Sequence, residues 1–348
     1  MKPRNPMVAA FLRPTPPPAA GYAALADAVV AVLSGEPDHL RPADSQGMPG
    51  GLVRLDPRLP TIIVPDLHAR TAFFLSLMES PLPGGGTVRD ALAAGQLQVL
   101  CLGDGFHAEA RAIDRWKAAL AEFEGGYRRH AAMDEEMAES LALMEMVMLA
   151  KLSYPRHFHF LKGNHENVLN EEGNGNHPFR KFALEGEMVL SWMKKFYSDD
   201  FLFHYAAFER NLPLFAVGGR FLASHAEPAR AFTEAEIVEA RTLPEVVEGL
   251  TWTDNGAAEP GSVLSLLGYY LPDIERPRFF TGHRVVLNLY RERSGGYHLQ
   301  IHNPRKYVAA WVMPDRDVEP SLDIGEIRDI SRRVAGRWSG EKKNGRTA

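Results

Sequence analysis

The sequence predicts an α/β fold, and three observations carry that expectation. Short β-branched runs recur at "TIIV" (61–64), "LQVLCL" (97–102) and "HFHFL" (157–161), separated by stretches with helical periodicity, as in βαβ units. Later runs pair across glycines: "LFAV" (214–217) with "RFLAS" (220–224) through Gly218-Gly219, and "VVLNLYRE" (285–292) with "YHLQIH" (297–302) through Ser294-Gly295-Gly296. Both pairs read as hairpins. Finally, Asp, Asn and His directly follow five of the apolar runs, which is where side chains from distant segments converge in an open α/β sheet.

Taken in order, residues 1–18 are proline-rich and expected to be extended. "AAGYAALADAVVAVLSG" (19–35) reads as a helix ending at Gly35. "PLPGGGTVRDAL" (81–92) lacks the lysine of a phosphate-binding loop, so it reads as a loop followed by a helix with Thr87 as N-cap. The longest helical stretch, about Glu109 to Lys151, breaks near Gly125-Gly126, and its methionines recur at helical spacing as core residues would. "RFFT" (278–281) and "YVAAWV" (307–312) are further strands, and "GRWSGEKKNGRTA" reads as a polar tail. The expected division is an N-terminal extension with a helix (1–55), a main domain (56–315) with a helical insertion at about 109–152, and a C-terminal segment (316–348).

The 348 residues exceed the usual size of a single core. A net charge of −5 gives no support to a general nucleic-acid or membrane-surface binder. The one cysteine, Cys101, excludes an internal disulfide and a cysteine-based zinc site, so any metal here must use His, Asp, Glu or Asn. The N-terminus lacks the apolar core of a signal peptide, and no run approaches a membrane span, which makes the cytoplasm the expected compartment.

The strand ends carry the chemistry. Pro65-Asp66-Leu67-His68 follows the first run, Gly103-Asp104 the second, and Lys162-Gly163-Asn164-His165-Glu166 the third. His225 follows "RFLAS", and Gly282-His283 follows "RFFT". Mixed oxygen and nitrogen donors of this kind suit Mn²⁺, Fe or Zn²⁺ better than Ca²⁺. In extended chain, Asp66 and His68 would point the same way.

This ordered set, with "YPRHFHFLKGNHEN", "NLPLFAVGGRFLASHAEP", "LTWTDN" and "TGHRVV", resembles the calcineurin-like metallophosphoesterase superfamily. The likeness is greatest to its phosphoprotein (serine/threonine) phosphatase branch, over roughly residues 60–315. The resemblance implies a four-layer αββα sandwich, two mixed β-sheets flanked by helices, with a two-metal centre. It implies one metal on Asp66, His68 and Asp104, and another on Asp104, Asn164, His225 and His283. Asp104 would bridge them, and a hydroxide between the metals would attack phosphorus. The metals would be Mn, with Fe and Zn as alternatives. His165 is implied as general acid, and Glu166 as a group that orients its neighbours.

In the family an Asp-Arg pair follows the second aspartate. Here "GDGFHAEAR" puts His107 and Ala108 at those positions. His107 can hydrogen-bond or move a proton, but it is not a permanent anion. Glu109 is a substitute carboxylate, and Arg70 or Arg111 a substitute phosphate clamp, by proximity in sequence alone. The position two residues after His283 is Val285 rather than a further histidine, as in the phosphoprotein branch; His302 is a reserve ligand. The expected function is phosphomonoester hydrolysis of serine/threonine phosphatase type. Hydrolysis of a small phosphorylated metabolite or dinucleoside polyphosphate, or a non-catalytic metal-binding interaction module, are the alternatives. The expected partner is thus a phosphorylated substrate.

Overall fold

A computed structural model describes residues 5–340, without the side chains of 338–340. In chain order its strands are β1 (Leu52–Arg54), β2 (Thr61–Val64), β3 (Gln98–Cys101), β4 (Phe158–Phe160), β5 (Phe215–Val217), β6 (Phe221–Ser224), β7 (Arg278–Thr281), β8 (Arg291–Arg293), β9 (His298–Gln300), β10 (Val308–Val312) and β11 (Ile324–Glu326). The helices are α1 (Pro6–Phe11), α2 (Ala19–Ser34), α3 (Thr71–Met78), α4 (Val88–Ala93), α5 (Ile113–Glu124), α6 (Ala131–Ser153) and α7 (Glu185–Phe196). They continue with α8 (Asp199–Arg210), α9 (Glu234–Val238), α10 (Pro244–Thr251), α11 (Ser262–Tyr270), α12 (Pro320–Asp323) and α13 (Ser331–Gly340).

Successive side chains of a strand point to opposite faces, and here both faces are apolar. Ile62 and Val64 face one core while Ile63 faces another; Val99 and Cys101 are likewise separated from Leu100. In the second sheet, Phe280 joins the core that holds Ile63 and Leu100, whereas Phe279 and Leu222 face a third core. A sheet buried on both faces needs a layer on each side, so the result is helix, sheet, sheet, helix. One sheet has the order β11-β10-β2-β3-β4, the other β1-β5-β6-β7-β9-β8. Both are mixed, as the four-layer expectation requires.

Strand direction positions the site. β2, β3 and β4 are mutually parallel, so the loops carrying Asp66, Asp104 and Asn164 leave the same edge. β6, β7 and β9 are parallel in the other sheet, so His225, His283 and the residues after β9 leave one edge there.

Three expectations are corrected. Residues 6–11 form α1 rather than extended chain: the Asn5 side chain accepts from the Met7 amide, Pro6 sits in the first turn, and Met7, Val8 and Ala10 are buried. "VVLNLY" (285–290) is not a strand; only Arg291–Arg293 pairs with β9, and Val285 and Leu287 are exposed, so no buried face holds that run in register. The tail begins later than expected, because α13 runs to Gly340 with Val334 and Ala335 buried; the rest of the expected tail, 341–348, lies outside the described residues.

Within the segment 109–152, α6 packs on α1, α2, α3, α5 and β4, and Met133, Met137, Met144, Met146 and Met148 are core residues. This segment therefore supplies a layer of the sandwich. Thr87 and Asp90 form a reciprocal cap on α4. Among the described residues no helix is long and apolar enough to cross a membrane.

Candidate metal centre

Each loop that leaves a parallel strand must turn sharply, and the turns are strained. His68, Ala69, Asp104, His107 and His283 all have positive φ, between 41° and 63°. Non-glycine residues adopt that region rarely, and such residues cluster at functional sites. Asp66 and His68 do turn towards each other, 3.8 Å apart, with His68 itself in the left-handed region where the chain leaves the strand. Two glycines let the loops close. A Cβ on Gly282 would lie 1.8 Å from Asp66 Oδ1, and one on Gly163 would lie 2.1 Å from Asp104 Oδ1.

The tertiary fold brings Asp66, His68, Asp104, Asn164, His165, His225 and His283 together, and all but His283 are almost fully buried. On one side, His68 Nδ1 hydrogen-bonds the His107 carbonyl at 3.0 Å, which leaves Nε2 facing three carboxylates. It lies 3.8 Å from Asp66, 3.7 Å from Asp104 and 3.5 Å from Glu109. These distances are too long for hydrogen bonds. On the other side, His225 Nδ1 hydrogen-bonds the Leu102 carbonyl at 2.9 Å, and its Nε2 lies 3.3 Å from Asp104 Oδ2 and 2.9 Å from Asn164 Oδ1. His283 Nδ1 lies 3.0 Å from the same Asn164 oxygen.

With Nδ1 donating, His225 Nε2 faces two oxygens, so either a second ring proton or a bound cation must lie between them. Burial alone would disfavour a charged ring, but Asp104 outweighs it and pushes His225 up to about 9. Asp104 is itself held well below the usual carboxylate range: burial opposes ionisation, but His165, His225 and His68 prevail. Donor separations of about 3–3.5 Å are what ligands around one ion at about 2.1 Å leave between them. The nitrogen and oxygen donors present therefore fit a divalent cation, and the His68 and His225 sides share Asp104.

Glu166 is a structural staple. Its carboxylate accepts from the amides of Asp104 (2.9 Å), Gly105 (2.8 Å) and Gly163 (2.7 Å), tying two ligand loops together. Burial and the nearby Asp104 push it up to about 7.

His107 meets His165 directly, Nδ1 to Nδ1 at 3.1 Å. Burial, aided by His68, drives His107 down to about 3, and burial also lowers His165 well below its ordinary value. Between two neutral rings, one Nδ1 must carry the proton. His107 Nε2 is buried without a partner. An orphaned acceptor is tolerated better than an orphaned N–H, which favours His107 Nδ1–H donating to His165. His165 then carries its proton on Nε2, the atom 3.7 Å from Asp104 Oδ2. Trp116 and Glu136 bind the Ala108 carbonyl and amide, so the α5–α6 segment fixes this unusual loop.

Of the two arginines named from proximity, Arg70 departs from that expectation. Arg70 is buried, and its guanidinium donates to the carbonyls of Asp66, Leu67, Asn303 and Lys306. It braces the loop and has no donor group turned to a phosphate, because backbone acceptors surround it. Arg111 lies at the margin, on Glu139 (2.7 Å) and the Ala69 carbonyl (3.2 Å).

Sequence reasoning did not find the segment 170–184. From it, Phe179 packs over His165 with ring centroids 3.6 Å apart and over His107 at 5.0 Å. Lys181 Nζ reaches Glu109 at 3.2 Å, at the edge of the cluster, while staying half exposed. Nothing in "NHPFRKFALEG" marks it as site-forming; only the basic pair Arg180-Lys181 hints at it.

Two facing mixed sheets with His, Asp and Asn side chains on their adjoining edges make a fold that this chain shares with a solved phosphatase structure. Among solved structures it is similar to a protein serine/threonine phosphatase from Saccharomyces cerevisiae with similarity to human phosphatase PP5, at 14% identity over 90% of this chain and 91% of that one, with a TM-score of 0.57. A cold-active protein-tyrosine phosphatase of a psychrophilic Shewanella species aligns at 11% identity over 86% and 84% of the two chains, with a TM-score of 0.49. At 14% identity the likeness to the first of these is one of fold alone. No family model matches the chain, and no curated protein matches it in sequence.

Proposed function

We propose that this protein is a metal-dependent phosphoesterase acting on phosphate monoesters, with serine/threonine phosphoproteins as its leading substrate class. The observation that carries the reading is the position of Asp104, whose Oδ2 lies between His68 Nε2 at 3.7 Å and His225 Nε2 at 3.3 Å. That is where a carboxylate shared by two ions belongs. Asp66 and His68 would complete one site, and Asn164, His225 and His283 the other. Two divalent ions, Mn with Fe and Zn as alternatives, would supply an acidified water and charge stabilisation at the phosphoryl oxygens. The protein's own groups hold the donors rigid, exclude bulk water and deliver a proton from His165 Nε2.

The test is hydrolysis of p-nitrophenyl phosphate, a phosphoserine peptide and an alkyl phosphate by the Mn²⁺-loaded chain. Two bound equivalents with no turnover of any ester would sink the reading and favour a binding module. His165→Ala separates the proton donor from a ligand. We expect a loss of about 10²-fold or more on the alkyl phosphate, whose leaving group must be protonated, and a much smaller loss on p-nitrophenyl phosphate. Equal losses on both esters, with metal lost, would instead make His165 a ligand.

Lys181 supports the phosphate reading, since it is a half-exposed cation at the rim of the cluster where the Asp-Arg pair is missing. Lys181→Ala is expected to raise KM roughly tenfold with kcat little changed, the size of one charge-assisted hydrogen bond. An unaltered KM would remove it from substrate binding. Phe179 favours a second reading, a small phosphorylated metabolite, because its ring narrows the approach to His165. A higher kcat/KM on small esters than on phosphopeptides would select that reading.

A further inference from the structure

We propose that His302 is an additional metal ligand on the Asp66–His68 side of the centre, held in position by Glu109. This rests on the metal-centre reading above and extends it, because the resemblance to known phosphatases supplies no ligand from this strand. β9 runs parallel to β7, so the residues after its carboxyl end reach the edge that carries His283. There His302 is fully buried. Its Nε2 lies 3.1 Å from Glu109 Oε2, and its Nδ1 has no hydrogen-bond partner.

The free nitrogen points into the cluster. Nδ1 lies 3.7 Å from Asp66 Oδ2, and the His302 and His68 rings meet edge to face at 5.4 Å. Asp66, His68 and His302 offer three donor atoms that all lie within 4.8 Å of one another. A carboxylate that accepts from one imidazole nitrogen fixes the tautomer and aims the other nitrogen as a lone pair, the usual support of a metal-bound histidine. Glu109 does this for His302 while its other oxygen lies 3.5 Å from His68 Nε2. The alternative is that His302 is a charged spacer between Asp66 and Glu109 with no part in binding an ion. Its Nδ1 is too far from Asp66 for the hydrogen bond that such a spacer would make.

With His302 included, this side offers Asp66, His68, Asp104 and His302. Two imidazoles shift the preference towards Zn²⁺, Fe²⁺ or Co²⁺ and away from Mg²⁺. The experiment is equilibrium metal titration of the full chain with Zn²⁺ and Co²⁺, reading stoichiometry by elemental analysis and the visible Co²⁺ spectrum. The variants are His302→Ala, Glu109→Gln and His298→Ala, the last removing a buried histidine of β9 that lies outside the cluster.

We expect His302→Ala to weaken one of two ions by at least tenfold and to change the Co²⁺ spectrum. Glu109→Gln should weaken the same ion by about 10–100-fold, and His298→Ala should do neither. Unchanged affinity and spectrum in His302→Ala would overturn the proposal while leaving the metal centre intact. Failure of the unaltered chain to bind metal would overturn the centre itself. Should His302→Ala fail to fold, His302→Gln and Glu109→Gln, which keep the volume, decide the matter by the same two readouts.

Discussion

On the proposed two-ion reading, Asp104→Asn is expected to lower metal-dependent kcat/KM by about 10³-fold or more, because several kcal/mol of charge stabilisation would depend on the ions it shares. The substitution preserves shape: Asn can still accept the His165 amide through its remaining oxygen, which in the native chain accepts at 2.9 Å. What it removes is the anion at the centre of His68, His165 and His225. Burial opposes that charge, yet the three imidazoles hold the carboxyl ionised far into the acid range, so the native site is arranged around a permanent anion. The loss should appear first as a loss of bound metal, measured by elemental analysis of purified protein, and only then as a loss of turnover. A variant that keeps both its metal and its rate would remove Asp104 from the mechanism.

Glu166→Ala is expected to destabilise the fold by about 3–5 kcal/mol, since three buried amides would lose their acceptor at about 1–3 kcal/mol each before relaxation or water entry. Those amides belong to Asp104, Gly105 and Gly163, so the variant also unties two ligand loops. The packing there has no slack: Gly163 sits against Asp104 so closely that even a methyl group would overlap it. Chemical denaturation with the slope held in common measures the effect. A difference within about 1 kcal/mol of the native chain would mean that solvent satisfies these amides and that Glu166 is not a staple. Glu166→Gln should fall between the two, because the amide oxygen can accept but its NH₂ faces donors.

Part of this site is legible in the sequence because part of it is local. A strand and the polar residue at its end are neighbours in the chain, and the continuous run that makes "TIIV" a strand buried on both faces lies in its own side chains. The parallel order of β2, β3 and β4 then follows from the intervening helices, so Asp66, Asp104 and Asn164 can be placed on one edge before any contact is known. The glycine-linked hairpin of β5 and β6 is local in the same sense.

Other features depend on contacts between residues far apart in sequence. Arg70 stands beside the ligands in sequence, yet carbonyls of Asn303 and Lys306, more than two hundred positions away, take its donors. Lys181 reaches Glu109 across a separation of 72 residues, and His107 finds His165 across 58. "IHNPRKY" reads like any strand end until β9 is found parallel to β7. The proline-rich start looks extended because Pro6 disfavours most helical positions; it is helical because Pro6 falls at the first turn and α6 offers a surface for Met7 and Val8.

By itself the sequence determined the apolar strands, the polar residues at their ends and the α/β class, because these follow from residue type along a single segment. Only the tertiary structure decided which cations face the centre and which brace it, how His107 meets His165, and where His302 and Glu109 stand. Those outcomes depend on which distant backbone groups come within hydrogen-bonding reach, and a linear pattern does not contain that information.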